Sequence, residues 1–302
     1  MTKKYDLIII GAGPAGLTAA IYVERCMLDT LILGEIPGGT ITEAHKVCNF
    51  PSEKEISGMG LAFKMVEHVK SLGIKIGQEK VQEIKKQNNE FKIKTNKKEY
   101  FAKKIILTIG MKKEKLNIKG ENEFLGKGVS HCAACDVSLF KNKTVAVIGG
   151  SNVALTSALL LAEHAKKVYI IYRKEKFFRA EPTGITQVEK NKKIETIFNS
   201  NVKEIYGNEK VEGVKFYNNK DIKLDGVFVE IGSIPDRNFI KQLNLETEGN
   251  YIKVNKKQQT SIEGIYAAGD VTNNPLKQII TACGEGAVAA TSVYEEIRKN
   301  EN

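Results

Sequence analysis

Asp6-Leu7-Ile8-Ile9-Ile10-Gly11-Ala12-Gly13-Pro14-Ala15-Gly16 is the stretch from which the architecture can be read. Asp6 to Ile10 is almost continuously aliphatic, as a parallel strand buried on both faces must be. The G-x-G-x-x-G that follows opens a helical pattern (Leu17, Ala20, Ile21, Val23, Glu24), and a second apolar run comes at Thr30 to Leu33. Strand, glycines, helix and strand in that order form a βαβ unit that cradles a dinucleotide. Gly11 makes the tight turn, Gly13 lets backbone N–H groups approach a pyrophosphate, and Gly16 lets helix and strand pack closely. Pro14 and Ala15 begin the helix, whose N-terminus offers positive potential to phosphates. Glu35, at the end of the second strand, is either the partner of a ribose or a solvated loop carboxylate.

The same pattern returns later. Lys143 to Ala154 restates the unit, with Gly149 in the place of Gly11 and Leu155-Thr156 in the place of Leu17-Thr18. A repeated βαβ unit implies two dinucleotide-type domains in one chain. The copy departs at two glycines: Ser151 stands where Gly13 stood, obstructing close approach to a pyrophosphate, and Ala154 replaces Gly16.

Between the units the pattern predicts irregular sequence from Gly38-Gly39 to Pro51 and a helix over Met59 to Leu72. Short alternating runs follow at Lys80–Ile84, Glu90–Thr95, Glu99–Phe101 and Ile105–Leu107, predicting a small antiparallel ribbon. Near the C-terminus, Gly264 to Asp270 reads as an apolar strand ending in Gly269-Asp270. Gln278 to Ile297 reads as a long helix rich in small residues. These last elements complete the first domain. The expected fold is therefore α/β, with two Rossmann-like, three-layer (ββα) dinucleotide-binding domains, the second inserted into the first. Boundaries are expected at 1–117, 118–236 and 237–302, with linkers near Asn117–Gly120 and Pro235–Phe239.

At 302 residues, two domains is the natural expectation. The 42% hydrophobic and 27% charged composition is that of an ordinary globular chain. The apolar run before Gly11 is too short for a signal peptide or a membrane span, so the sequence reads as cytoplasmic, with no membrane partner. The net charge of +10 comes from lysines scattered along the whole length. No arginine-rich helix or Cys/His finger accompanies them, so nucleic acid is not an expected partner. The charge is a solvated basic surface, or it speeds encounter with an acidic protein.

The insertion begins with His131-Cys132-Ala133-Ala134-Cys135-Asp136. Alone, this C-x-x-C is a redox couple, half a zinc site or chance spacing. Cys26, Cys48 and Cys283 stand singly, with no second C-x-x-C or His pair, so no metal site is expected. They read as small core hydrophobes. Placed between two nucleotide units, the pair reads as a disulfide that trades electrons with bound cofactors. At the start of a helix the N-terminal thiolate, Cys132, is the favoured and exposed nucleophile, and the carboxylate of Asp136 can move the proton of Cys135. His131 reads as a loop histidine without a catalytic part.

The whole chain resembles the low-molecular-weight, FAD-dependent thioredoxin reductases of the pyridine nucleotide–disulfide oxidoreductases. The resemblance rests on Gly11 to Gly16, Gly38-Gly39, Asn49-Phe50-Pro51, Cys132 to Asp136, and Gly269-Asp270 followed by Lys277-Gln278. It implies FAD in the first domain, with Asp270 at the ribityl–phosphate region and Lys277-Gln278 at the isoalloxazine edge. Thr40 stands where that family usually carries Gln. The resemblance further implies that Cys135 lies nearest the flavin, that Cys132 attacks the disulfide of a thioredoxin, and that Asp136 is the acid–base. It also implies a homodimer. One disulfide can hardly touch a buried flavin and a protein substrate at once, so the inserted domain is expected to rotate about its linkers.

NADPH-using members close their second unit with a His-Arg-Arg cluster and a further Arg. Here Tyr172-Arg173-Lys174-Glu175-Lys176-Phe177-Phe178-Arg179 stands in that place. Lysine cannot clamp a phosphate in the bidentate manner of arginine. Two donors follow: NADPH held by Arg173, Lys174 and Arg179, or a ferredoxin delivering electrons to the flavin. Ser151 and the altered cluster bear on the same ligand, so ferredoxin is the favoured donor and NADPH the weaker candidate. A reductase of peroxide or of another small disulfide, and a flavin-binding redox sensor without turnover, are the remaining readings.

Overall fold

The computed structural model describes residues 3–178 and 180–299, and the chain divides into two compact units, 1–112 with 234–302, and 113–233. In the first unit, β1 (Lys4–Ile10) leads into α1 (Pro14–Glu24) and β2 (Thr30–Leu33). Helix α2 (Gly58–Ser71) follows, its first turn capped by the Ser57 hydroxyl accepting from the Gly60 N–H. Then come β3 (Lys75–Gly77), β4 (Val81–Gln87), β5 (Glu90–Thr95) and β6 (Glu99–Leu107). The strand order is β3-β2-β1-β6-β5-β4, parallel from β3 to β6 and antiparallel beyond.

Where the sequence pattern suggests two short strands between Glu99 and Leu107, the structure has one. Its first half alternates because it pairs antiparallel with β5. Its second half is uniformly apolar because it lies between β1, with Ile9 opposite Ile106, and the parallel strand Ile265–Ala267, which takes over the edge that β5 leaves. One strand thus carries two hydrophobic periods because it changes partner midway.

The inserted unit starts with β7 (Val129–Ser130), the short helix α3 (Ala133–Asp136), β8 (Thr144–Ile148), α4 (Asn152–His164) and β9 (Lys167–Ile171). It continues with α5 (Pro182–Lys190), β10 (Ile194–Ile197), the antiparallel sheet β11 (Val202–Gly207), β12 (Val211–Phe216) and β13 (Asp221–Lys223), and then β14 (Gly226–Val229). Strands β10-β9-β8-β14-β7 form a five-stranded parallel sheet. Helices α4 and α5 cover one face of it and the antiparallel sheet the other, giving two cores.

The chain then returns to the first unit. Helix α6 (Arg237–Gln242) precedes β15 (Ile265–Ala267), which lies parallel to the second half of β6, and α7 (Ile279–Lys299) follows. Alternation along β1 builds the layers: Leu7 and Ile9 pack with α1 and α7, while Ile8 and Ile10 pack on the side of β4, β5 and α6. Helices α1 and α7 meet closely. A Cβ on Gly286 would lie 2.1 Å from the Ala15 carbonyl oxygen. Tyr266 is fully buried in β15; its hydroxyl donates to Glu296 of α7, which also pairs with Lys104. Among the described residues no helix is long and apolar enough to cross a membrane.

Candidate functional site

The chain leaves β1 toward β2 on one side and reaches β6 on the other, so the C-terminal ends of β1 and β6 flank a topological switch point. Crevices for ligands form there in open α/β sheets. A cavity of about 490 Å³ occupies that place. Gly11, Gly13, Pro14, Ala15, Glu35, Gly39, Thr40, Gly269, Asp270, Lys277 and Gln278 line it. Gly16, Gly38 and Asn49 do not. Gly16 lies beneath the turn, where a Cβ would fall 2.0 Å from the Gly11 carbonyl oxygen. The Gly38 N–H donates to the Ala12 carbonyl at 2.8 Å, and Asn49 reaches the cavity only through its side chain, which donates to the Gln278 Oε1 at 2.9 Å.

The wall is a backbone cradle. Gly11 has φ +118°, and a Cβ there would fall 2.1 Å from the Thr108 carbonyl oxygen; one on Gly39 would fall 2.9 Å from the Gly13 Cα. The first turn of α1 carries no acidic side chain, and no side chain caps it. This bare helix start fits an anionic diphosphate. At the mouth Glu35 is exposed and pairs with Lys80 at 3.6 Å. Deeper, the Asp270 carboxyl is pushed up by burial and by neighbouring Glu285, against the pull of Lys277. Burial likewise lowers the Lys277 ammonium, which lies 4.5 Å over the Tyr251 ring. Both groups are shifted toward neutrality by the same loss of water.

Several residues of this wall escape the motif reading. Thr108 to Lys112 follow β6, Glu79 and Val81 begin the ribbon, and Asp236 and Phe239 open α6. The available signal is positional: a second buried parallel strand, Ile105–Leu107, must end at the same crevice as β1. Glu79 accepts from Thr95 Oγ1 at 2.6 Å and from the Tyr100 hydroxyl at 2.7 Å. Burial works to raise its pKa, but these two bonds hold the carboxyl below its usual range. Glu285 of α7 also goes unread; its carboxylate accepts from the Gly269 N–H at 2.7 Å and from Thr272 Oγ1 at 3.2 Å. It pins the turn that presents Asp270.

In the inserted unit Cys132 and Cys135 form a disulfide, with Cα atoms 5.4 Å apart. The Cys135 N–H donates to Cys132 Sγ at 3.2 Å. Cys135 is exposed and Cys132 half-buried, so the sequence expectation of an exposed Cys132 is reversed. The cause is local: the Cys132 N–H is tied inward to Ser130 Oγ, while Cys135 sits on the outer side of a single helical turn. Asp136 accepts from Ser130 Oγ at 2.6 Å. The Lys113 ammonium donates to the His131 carbonyl and lies 3.5 Å from Glu230. His131 Nε2 lies 3.9 Å from the buried Glu121.

The second glycine turn is built differently. A Cβ on Gly149 would meet the Glu230 carbonyl oxygen at 2.1 Å, and one on Gly150 would meet the Tyr172 ring at 2.6 Å. Tyr172 thus lies flat on the turn. It stacks on Phe177 with centroids 5.8 Å apart, and Phe177 meets Phe198 edge-on at 5.1 Å. Asn152 Oδ1 accepts from the Glu181 N–H at 2.6 Å, fastening the following loop to the start of α4. Arg173 and Lys174 are exposed, and Arg179 lies outside the described residues.

Comparison with known proteins agrees with this geometry. The family described as pyridine nucleotide-disulphide oxidoreductase matches residues 5–286. The thioredoxin reductase of Bacillus subtilis (strain 168) is 38% identical over 305 residues, covering 98% of this chain and 96% of that protein. The crystal structure of Lactococcus lactis thioredoxin reductase superposes with a TM-score of 0.93 at 35% identity, covering 98% and 99% of the two chains. That of a ferredoxin-flavin thioredoxin reductase from Clostridium acetobutylicum gives 0.55 at 37% identity, with the same coverage. With a backbone cradle, a Cys132–Cys135 disulfide and full-length likeness in hand, the chain belongs to the pyridine nucleotide-disulphide oxidoreductase family, beside its thioredoxin reductases.

Proposed function

We propose that the protein is a thioredoxin-disulfide reductase that passes electrons from FAD through Cys132–Cys135 to a thioredoxin, with a ferredoxin as the favoured donor. FAD is the cofactor of this family, and the cradle of Gly11, Gly13 and Gly39 beside Asp270, Lys277 and Gln278 suits it. In this reading the flavin domain is 1–117 with 237–302, the redox domain is 118–236, and the working assembly is a homodimer in the cytoplasm. The observation that carries the choice of donor is the Tyr172 ring lying on Gly150. With Ser151 at the next position, it occupies the approach a pyrophosphate needs.

FAD, when bound, supplies a two-electron reductant. The Cys132–Cys135 bond takes those two electrons and opens. Cys132 Sγ remains the stabler thiolate because it accepts the Cys135 N–H, and Asp136 hands a proton to Cys135. Cys132 then attacks the partner's disulfide, expelling one partner sulfur and forming a mixed disulfide. Cys135 gives its proton to Asp136 and attacks Cys132 Sγ, which closes the disulfide and expels the second partner sulfur; that sulfur takes the proton from Asp136 and the first takes one from solvent, so the partner leaves as a dithiol.

A conventional NADPH-dependent reading is favoured by one observation, the exposed Arg173 and Lys174 beside the turn. An anaerobic titration separates the donors. Reduced ferredoxin is expected to bleach the flavin and drive thioredoxin-coupled insulin reduction. Rapid bleaching by micromolar NADPH instead would end the ferredoxin assignment, and bleaching without turnover would mark a redox sensor.

A further inference from the structure

We propose that Ser130 is a positioning residue for thiol–disulfide exchange, its buried hydroxyl holding the Asp136 carboxylate at the base of the Cys132–Cys135 loop as a proton acceptor for Cys135. The inference rests on the reading of that disulfide as the working one.

Ser130 is 5% exposed and ends β7, where it is paired with Phe228 of β14, so the central sheet fixes its place. Its hydroxyl oxygen accepts the Cys132 N–H at 3.0 Å, and its single hydrogen goes to Asp136 Oδ2 at 2.6 Å. The Cys132 carbonyl, at 3.3 Å from the same oxygen, is the weaker competitor for that hydrogen. One oxygen therefore orients both the residue bearing the first sulfur and the carboxylate that follows the second. A hydroxyl donating to a carboxylate favours its charged form, the form that can receive a proton. The other ionisable groups about this segment are His131 with Glu121, and Lys113 with Glu230.

In the step served, the Cys135 thiol gives its proton to Asp136 and its sulfur attacks Cys132 Sγ of the mixed disulfide. The bond between Cys132 and the partner's sulfur breaks, the partner's sulfur leaves with the electron pair, and it takes the proton from Asp136. The protein's dithiol is oxidised by two electrons and the partner's disulfide is reduced by two. Without the Ser130 hydroxyl the Asp136 carboxylate loses its anchor and swings from the loop.

The test uses reduced holoenzyme and 5,5′-dithiobis(2-nitrobenzoate) as oxidant, with rate measured against pH. Ser130→Ala is expected to slow exchange about tenfold near neutral pH, the worth of a hydrogen bond to a charged group. It is also expected to alter the pH profile, because the group that takes the proton from Cys135 is no longer held in place. Ser130→Thr restores both. Ser130→Ala placed on Asp136→Asn adds no further loss, which a merely structural role would not predict. A wild-type rate and profile for Ser130→Ala, or an equal added loss on Asp136→Asn, overturns the inference. Should Ser130→Ala not fold, Ser130→Gly is read by the same criteria. Cys132→Ser distinguishes the two levels: if thioredoxin-coupled insulin reduction survives it, the disulfide reading falls, whereas its loss beside an unaffected Ser130→Ala sinks only the role of Ser130.

Discussion

Gly13 and Gly16 belong to one motif, yet the structure separates what each is for, and substituting alanine at each tests the site. A methyl on Gly16 would fall 2.0 Å from the Gly11 carbonyl oxygen and 2.7 Å from Thr108 Oγ1. Both are held by the sheet, so the helix must shift. Overpacking of this kind costs about 1–3 kcal/mol, and at about 2–4 °C per kcal/mol for a unit of this size the melting point falls by several degrees. A methyl on Gly13 meets nothing nearer than the Gly39 Cα at 4.0 Å, and Gly13 already has the extended φ of −83° and ψ of −174°. Gly13→Ala therefore leaves the apoprotein as stable as wild type, or more stable by about 0.4–1 kcal/mol through the unfolded chain. The methyl does occupy the approach to a diphosphate, and losing a charge-assisted contact there weakens FAD by roughly tenfold to a hundredfold. Thermal melts with and without FAD, together with a fluorescence titration of the deflavinated protein, give both numbers. Undiminished FAD affinity in Gly13→Ala, or a wild-type melt for Gly16→Ala, refutes the assignment of the cavity.

Three further outcomes are expected. Combining Ser151→Gly with Tyr172→His uncovers the second turn and raises NADPH-driven flavin bleaching by about tenfold, equivalent to about 1.4 kcal/mol; an unchanged rate in stopped flow argues that Tyr172 is no barrier. Glu285→Ala strips the acceptor from the Gly269 N–H and weakens FAD about tenfold, while Glu285→Gln keeps an acceptor and most of the affinity; equal titration curves for the two would count against the hydrogen bond. Lys104→Met leaves the half-buried Glu296 carboxylate with the Tyr266 and Gln259 side chains but no cation and costs about 1.5 kcal/mol in urea denaturation. Burial works to raise Glu296, but Lys104 and Tyr266 hold it below its unfolded value. Its stabilising contribution is therefore complete above about pH 4.3 and fades as pH falls through the folded value, and Lys104→Met flattens that acid limb.

Two βαβ units, the helix after Ser57 and the long C-terminal helix are legible in the chain because period and punctuation are local properties. The turn at Gly11 could be read for the same reason: its strand, glycines and helix are neighbours in sequence. What the sequence leaves open is made by residues far apart along it. Glu99 to Leu107 reads as two strands until the pairing partners are known, since the change of period comes where β5 gives way to β15 along one edge. Thr108, Glu79, Asp236 and Glu285 join the cavity wall or its support only because strand order brings their elements to one edge. Which cysteine faces solvent, and that Ser130 touches Asp136, depend on how one short helix lies against a sheet end. The Tyr172 ring could be seen as a departure from a motif, but its position on Gly150 is a fact of packing. Backbone pattern writes itself into consecutive residues, whereas a contact between distant side chains leaves no period to find; tertiary structure alone decides it.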